Sequence, residues 1–174
     1  MRGHRKRLGT QGFSVPLVGA ALFFIISLLL FASYKNSAYQ QAKKEVYSLY
    51  TANRAFDLDA VYQDGLTAVY AKEYGKTATE AGCEALEQTG LPYVLLLSQF
   101  SAPVERVYVT NCQLAETGRE KKARTYEYTV SVRFCLEKGD EVLAPEKTMD
   151  FRGTMVMKKK GWFRWLLDGV TLGE

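Results

Sequence analysis

The side chains that most often carry out catalysis are sparse in this sequence of 174 residues. His4 is the only histidine, and it precedes a long apolar segment. Ser-His-Asp and Cys-His catalytic groups both need a histidine as the base. We therefore expect neither group in the residues that follow the apolar segment, and a zinc site built on histidine is excluded there for the same reason.

The three cysteines, Cys83, Cys112 and Cys135, lack the C-x-x-C spacing of structural zinc sites. We predict that they are small buried side chains. A disulfide between two of them is the alternative if they lie outside the cytoplasm. A bond between Cys112 and Cys135 is disfavoured, because a turn near residue 119 would place Cys112 opposite about residue 126. A catalytic thiolate is the least favoured interpretation, since no obvious base lies nearby.

Carboxylate pairs also fail to form a recognisable catalytic motif. Asp57 and Asp59 are two residues apart and would not face each other on a helix, so Asp57 is predicted to be an N-cap. Glu80, Glu84 and Glu87 share one helix face, which we expect to be solvated. The sequence therefore predicts no catalytic residue, no metal site and no cofactor.

The segment from Leu8 to Tyr34 contains no charged side chain in a protein that is 24% charged. A helix needs about 20 mostly apolar residues to cross a bilayer. We therefore predict a transmembrane helix over residues 13–34, and lipid as a partner. A cleaved signal peptide is the alternative, although small residues at the expected cleavage positions are missing. The side chains expected to anchor the helix are Leu17, Phe23, Phe24, Ile25, Ile26, Leu28, Leu29, Leu30 and Phe31.

The basic side chains before the apolar segment predict its orientation. Lys and Arg favour the cytoplasmic side of a membrane, so residues 1–12 are expected to be a cytoplasmic tail and residues 35–174 a single extracytoplasmic domain. The whole formal charge of +4 arises from the tail, because 19 of the 23 Lys and Arg balance the 19 acids of the domain. Nucleic acid is therefore not predicted as a partner. The residues that determine the orientation are Arg2, Arg5, Lys6 and Arg7.

The first half of the domain has helical periodicity. Residues 38–56 are predicted to be helical and could continue the membrane helix without a break. Ala55 to Lys72 repeats the pattern, although Gly65 weakens it, and Thr77 is predicted to cap a further helix that ends at Gly90. The predicted core face of these helices includes Tyr39, Ala42, Val46, Leu49, Phe56, Leu58, Val61, Tyr62, Leu66, Val69 and Tyr70.

The second half of the domain has the alternation of strands. Tyr126 to Leu136 alternates apolar and polar residues, and Val104 to Leu114 is its expected partner. Met149 to Met157 and Trp162 to Leu172 follow, with a bulge or turn at Asp168-Gly169. The predicted fold class is α+β, with helices packed on a four-stranded, or slightly larger, curved antiparallel sheet.

Three aromatic residues are candidate contacts for a partner or a pocket. Trp162 and Trp165 have opposite parity in the last strand, so one of them is expected to be exposed. Tyr108, in the strand that begins at Val104, is the third.

The order of these elements resembles the NTF2-like superfamily and cystatin-like folds. The resemblance covers residues 38–172 in outline and rests most specifically on the ending Met155-Val156-Met157-Lys158-Lys159-Lys160-Gly161-Trp162-Phe163-Arg164-Trp165. Its membrane-anchored members include the VirB8-like components of secretion and conjugation machines, which are scaffolds. The resemblance therefore implies a non-catalytic assembly module of a bacterial envelope complex, with protein partners or self-association in the membrane.

Two alternatives stay open. The segment Arg7-Leu8-Gly9-Thr10-Gln11-Gly12-Phe13 resembles the leader of type IV pilin-like proteins, which implies cleavage between Gly12 and Phe13 and an unbroken helix from residue 13 to residue 56. Leu17 stands where major pilins carry Glu. The other alternative is a membrane-tethered binder of small ligands, or an isomerase-like enzyme of the NTF2-like group. It requires an apolar pocket with converging polar groups.

Overall fold

A computed structural model describes residues 15–137, 146–161 and 164–173, and within these ranges the side chains from residue 19 onward except that of Lys35. The chain divides into two compact units between Tyr34 and Lys35. Several residues named above lie outside the described part: Arg2, Arg5, Lys6, Arg7, Gly12, Phe13, Trp162 and the side chain of Leu17.

The first unit contains helix α1 (Val15–Lys35) except for its last residue, which belongs to the second unit. Its large apolar side chains from Leu22 to Phe31 are 52% to 74% exposed, and they point to every side of the helix because they are nearly consecutive. No single helix in the described residues is long and apolar enough to span a membrane. By length and composition alone, Gly19–Tyr34 passes that test together with the next helix, Ala38–Leu49.

The second unit has helices on one antiparallel sheet. The helices are α2 (Ala38–Leu49), α3 (Arg54–Asp64), α4 (Leu66–Tyr74), α5 (Glu80–Thr89) and α6 (Tyr93–Leu96). The strands are β1 (Ala52–Asn53), β2 (Val104–Arg119), β3 (Ala123–Leu136), β4 (Glu146–Lys160) and β5 (Arg164–Leu172). They pair in sequence order, β1-β2-β3-β4-β5. The predicted α+β class is confirmed, and β1 adds a fifth, two-residue strand to the four predicted ones.

The sheet is curled into a half-barrel. Helix α2 contacts β2, β3, β4 and β5, so it crosses the concave face of the sheet. The inward residues of β3 are the alternating apolar set that the sequence predicted, and they are at most 2% exposed. They are Tyr126, Tyr128, Val130, Val132 and Phe134.

The predicted unbroken helix through residue 56 is wrong. The chain leaves the helical conformation at Asn36 and Ser37, and α2 ends at Leu49. Ser37 starts a new helix, because its hydroxyl accepts a hydrogen bond of 3.3 Å from the Gln40 N–H. After α2 the chain becomes extended, since Ala52 pairs with Val107 of β2.

The helices that follow are also shorter than predicted. Gly65, with φ +80°, separates α3 from α4 where one helix was expected. Asn53, not Asp57, is the N-cap of α3: its side chain accepts from the Ala55 N–H, while the Asp57 carboxylate accepts from the Asn53 N–H.

Helix α5 begins later than expected. Its cap is Thr79 rather than Thr77, because the Thr79 hydroxyl accepts from the Gly82 N–H at 3.1 Å. It ends at Gly90, as predicted, where φ is +70°.

The register between β2 and β3 differs from the expected one. Both strands run further toward their turn than predicted, and β2 contains three irregularities, so Cys112 lies opposite Val130 rather than near residue 126. Cys135 lies opposite Arg106, and Cys112 and Cys135 are buried, as predicted, whereas Cys83 is only half-buried. The expected bulge in β5 is confirmed at Asp168. Gly169 pairs with Val156 and Leu167 pairs with Met157, so the pairing of β4 with β5 skips Asp168.

Candidate functional site

Aromatic rings fill the space between α2 and the centre of the sheet. The Tyr50 ring lies 5.9 Å from the Tyr128 ring and 5.6 Å from the Phe151 ring, and Phe134 packs against Phe151 at 6.2 Å. The hydroxyls of Tyr50 and Tyr128 are 3.0 Å apart, and Tyr128 donates to the Thr171 carbonyl. Burial raises the pKa of both phenols, so both stay neutral at physiological pH. This part of the concave face is a packed core.

A groove of about 250 Å³ opens on the outer side of the helices. It lies between α3, the start of α4 and α6, and its lining side chains are almost all apolar. We call it the apolar groove; it is lined by Leu58, Val61, Tyr62, Leu66, Gly90, Tyr93, Val94 and Leu97.

Large apolar side chains around this groove face solvent. Tyr62 is 76% exposed and Leu97 is 59% exposed, and Phe56, also on α3, is 78% exposed. The prediction that Phe56 and Tyr62 belong to the core is therefore wrong. Leu58 is the residue that α3 buries, because this short helix contacts its neighbours along a narrow strip. Exposed apolar side chains concentrated in one region of a surface are typical of interaction sites.

The floor of the groove is anchored by hydrogen-bonded and packed tyrosines. Tyr93 donates to the Glu73 carboxylate at 3.0 Å, and its ring lies 5.7 Å from the Tyr70 ring. Within the described residues, the buried Tyr70 hydroxyl has no hydrogen-bond partner. The groove can thus accept apolar side chains but offers little polar chemistry at its surface.

A second, polar depression surrounds Glu45, which is 4% exposed and is the buried charged residue of the described core. We call it the Glu45 cleft; it encloses about 190 Å³ and is lined by Asn36, Gln41, Glu45, Lys76, Thr77, Arg164, Trp165 and Leu166. Burial raises the pKa of Glu45 to about 7, although the Lys44 charge and the Thr77 hydroxyl oppose the shift. Glu45 can therefore take up or release a proton near neutral pH.

Sequence reasoning missed Glu45, yet a signal was present. Ala38, Ala42, Glu45 and Leu49 repeat at helical spacing, and all four are buried on one face of α2. The acid occupies an apolar stripe at the position where the next apolar residue is expected.

The partner candidates from the sequence do not form one site. Tyr108 is half-buried between the guanidinium groups of Arg106 and Arg133, each 5.9 Å from its ring. Trp165 is half-buried in the Glu45 cleft. The two lie near opposite ends of the sheet, because Tyr108 is opposite Arg133 whereas Trp165 pairs close to the β4–β5 turn.

Comparison with protein-family models, curated proteins and solved structures finds no match to this chain. The geometry of the two sites is therefore what indicates function.

Proposed function

We propose that this chain is a single-pass membrane protein whose extracytoplasmic domain, residues 35–174, is a non-catalytic binding module. In this role it joins protein partners into an assembly of the bacterial envelope. The observation that carries the proposal is the apolar groove, with Tyr62 and Leu97 exposed at its rim.

The shape and chemistry of the groove suit an amphipathic helix of another protein. Such a helix inserts apolar side chains at intervals of three or four residues and needs few polar contacts in the groove. Tyr62 supplies a large, stiff, exposed contact surface of the kind that dominates binding energy at protein interfaces. Binding would cover apolar surface that otherwise faces water.

The proposed anchor is supported by helix α1. Its exposed apolar side chains surround the helix, as expected for a segment whose solvent is lipid rather than water. In α2, by contrast, Ala42, Val46 and Leu49 are fully buried. Helix α2 therefore packs into the domain core.

The layout of the domain supports the NTF2-like interpretation over the pilin-like one. A curled sheet with α2 on its concave face suits an NTF2-like cone. A pilin-like protein would need one continuous helix from residue 13 to residue 56, whereas the chain breaks before Ala38 and again after Leu49. The packed rings of Tyr50, Tyr128, Phe134 and Phe151 favour a scaffold over a ligand-binding cone.

Site-specific photocrosslinking in native membranes tests the proposal. A photoreactive residue placed at Tyr62 should give discrete crosslinked products with another envelope protein or with a second copy of the chain. The same residue at Glu84, an exposed position on α5, is the matched control and should give none of these products. Identical patterns at both positions, or no product at Tyr62, would contradict the proposal.

A substitution gives an independent measurement. Leu97→Asp places a charge at the rim of the groove and should abolish crosslinking from Tyr62, because the partner would have to desolvate the new carboxylate. Leu97 is exposed, so the thermal unfolding midpoint should change little. Undiminished crosslinking from Tyr62 in this variant would show that the partner does not bind in the apolar groove.

A further inference from the structure

The tip of the β4–β5 hairpin and the start of the domain lie at one end of the sheet. Lys159 pairs with Trp165 and Lys160 pairs with Arg164 across this hairpin, next to the turn at Gly161. The β2–β3 turn is adjacent, because the Lys159 N–H donates to the Lys122 carbonyl at 2.7 Å. Asn36, the second residue of the domain, lines the Glu45 cleft together with Lys76, Arg164 and Trp165.

This end carries exposed positive charge. Lys76, Lys159, Lys160 and Arg164 are exposed, and no acidic side chain of the described residues forms an ion pair with any of them. We call these four cations, together with Trp165, the basic end. The exposed acid Glu80 lines a neighbouring depression together with Lys158, Lys159 and Lys160. Lys158 is paired with Asp168. At this end of the sheet, unpaired cations therefore outnumber unpaired acids.

Cations also surround the indole of Trp165. The guanidinium of Arg124 lies 5.4 Å from the ring and the ammonium of Lys159 lies 5.9 Å from it. Arg164 is held at the cleft by donating to the Lys76 carbonyl. Half-buried Trp165 thus stands among cations, which is the combination that membrane interfaces favour: an amphipathic ring at headgroup depth and basic groups beside it.

We propose that the basic end docks on the anionic phospholipid headgroups of the leaflet that faces the domain. The inference rests on the proposed membrane anchor. Asn36 follows Tyr34, the end of the charge-free segment, by two residues in the sequence. The proposed anchor is thus joined to the domain just before a residue that lines the same cleft as Lys76 and Arg164. Docking would fix the direction in which the apolar groove is presented to partners.

The experiment uses the full chain in lipid vesicles, on a Trp162→Phe background that leaves Trp165 as the single tryptophan. Vesicles of phosphatidylcholine are compared with vesicles that also contain phosphatidylglycerol. A trace of lipid spin-labelled near its headgroup quenches tryptophan fluorescence at short range. We expect quenching of Trp165 to be stronger with phosphatidylglycerol and to weaken in high salt, because screening reduces the attraction.

Substitutions that reverse charge test which cations are needed for docking. Lys76→Glu/Lys160→Glu should lower the equilibrium constant for docking by about 25-fold or more. Each cation near an anionic surface raises that constant about fivefold. Arg106→Glu/Lys147→Glu is the matched control, with the same change in charge on exposed residues near the other end of the sheet. In this control variant, the quenching of Trp165 fluorescence should equal that in the parent protein. The variant Lys76→Gln/Lys160→Gln removes the same two charges without introducing acids. Circular dichroism of every variant shows whether a loss of docking is instead a loss of folding.

The two proposals fail in distinguishable ways. Flotation with vesicles of phosphatidylcholine alone reports the anchor, and a chain that does not float would overturn both the anchor and the docking. A chain that floats but shows equal Trp165 quenching in both lipids would overturn the docking alone. So would an equal loss of quenching in the control variant.

Discussion

The hydroxyls of Tyr50 and Tyr128 meet at 3.0 Å inside the core, joining the end of α2 to the middle of β3. The two residues are 78 positions apart in sequence. Tyr128 also donates to the Thr171 carbonyl of β5, so one phenol connects the helix layer with two strands.

This chain of hydrogen bonds predicts unequal effects of two similar substitutions. Tyr128→Phe removes the partner of the Tyr50 hydroxyl and the donor to Thr171, and we expect it to lower the free energy of unfolding by roughly 2 to 3 kcal/mol. Tyr50→Phe leaves Tyr128 bonded to Thr171 and should cost about 1 kcal/mol or less. Urea unfolding of the two variants in detergent measures the difference. Equal losses would show that the hydroxyl pair does not behave as the structure indicates.

Removing the Tyr70 hydroxyl should be harmless. It is buried without a hydrogen-bond partner among the described residues, so Tyr70→Phe removes a desolvated polar group and should leave stability unchanged or raise it by about 1 kcal/mol. Tyr93→Phe is the control, because it loses the bond to Glu73 and should be the less stable variant. The opposite order in thermal unfolding would contradict this prediction.

Glu45 should make the domain less stable as the pH rises. Its pKa is about 7 in the folded protein and 4.5 as the ordinary value, so between these values the folded protein retains a proton that the unfolded chain has lost. The free energy of unfolding therefore falls as pH increases through this window, by roughly 3 to 4 kcal/mol at about 1.4 kcal/mol per pKa unit.

Glu45→Gln supplies the measurement for this pH dependence. Glutamine is isosteric with the protonated acid and does not titrate, so the variant should match the parent near pH 4.5 and exceed its stability above about pH 7. Urea unfolding across this pH range compares the two proteins. Parallel stability curves for parent and variant would rule out Glu45 as the source.

Gly82 is required where α5 meets β5. A Cβ on Gly82 would collide with the Leu167 carbonyl, which is backbone and cannot move aside easily. Gly82→Ala should therefore lower the free energy of unfolding by about 2 kcal/mol or more, since overpacking commonly costs 1 to 3 kcal/mol. Gly169→Ala is the control, because its nearest added contact is an ordinary 3.9 Å to Val156. A melting temperature lowered equally in both variants would contradict the prediction.

Features governed by neighbours along the chain were predictable from the sequence. The alternation from Tyr126 to Leu136 predicted a strand with one buried face, and Gly90 and Asp168 marked a helix end and a bulge. These signals are local, because strand periodicity, a left-handed glycine and a skipped residue depend on a few adjacent positions.

The candidate sites depend on contacts between distant segments. Phe56 and Tyr62 fit an apolar helical pattern yet are exposed, whereas Glu45 is buried in the apolar stripe of α2. Burial is decided by which surfaces of α2, α3 and the sheet meet, and no pattern within one segment specifies that meeting. The sequence alone determined an apolar, charge-free segment followed by an α+β domain. Only the tertiary structure decided that an apolar groove stays uncovered and that cations from distant positions gather beside Asn36, because both arise when segments far apart in sequence pack together.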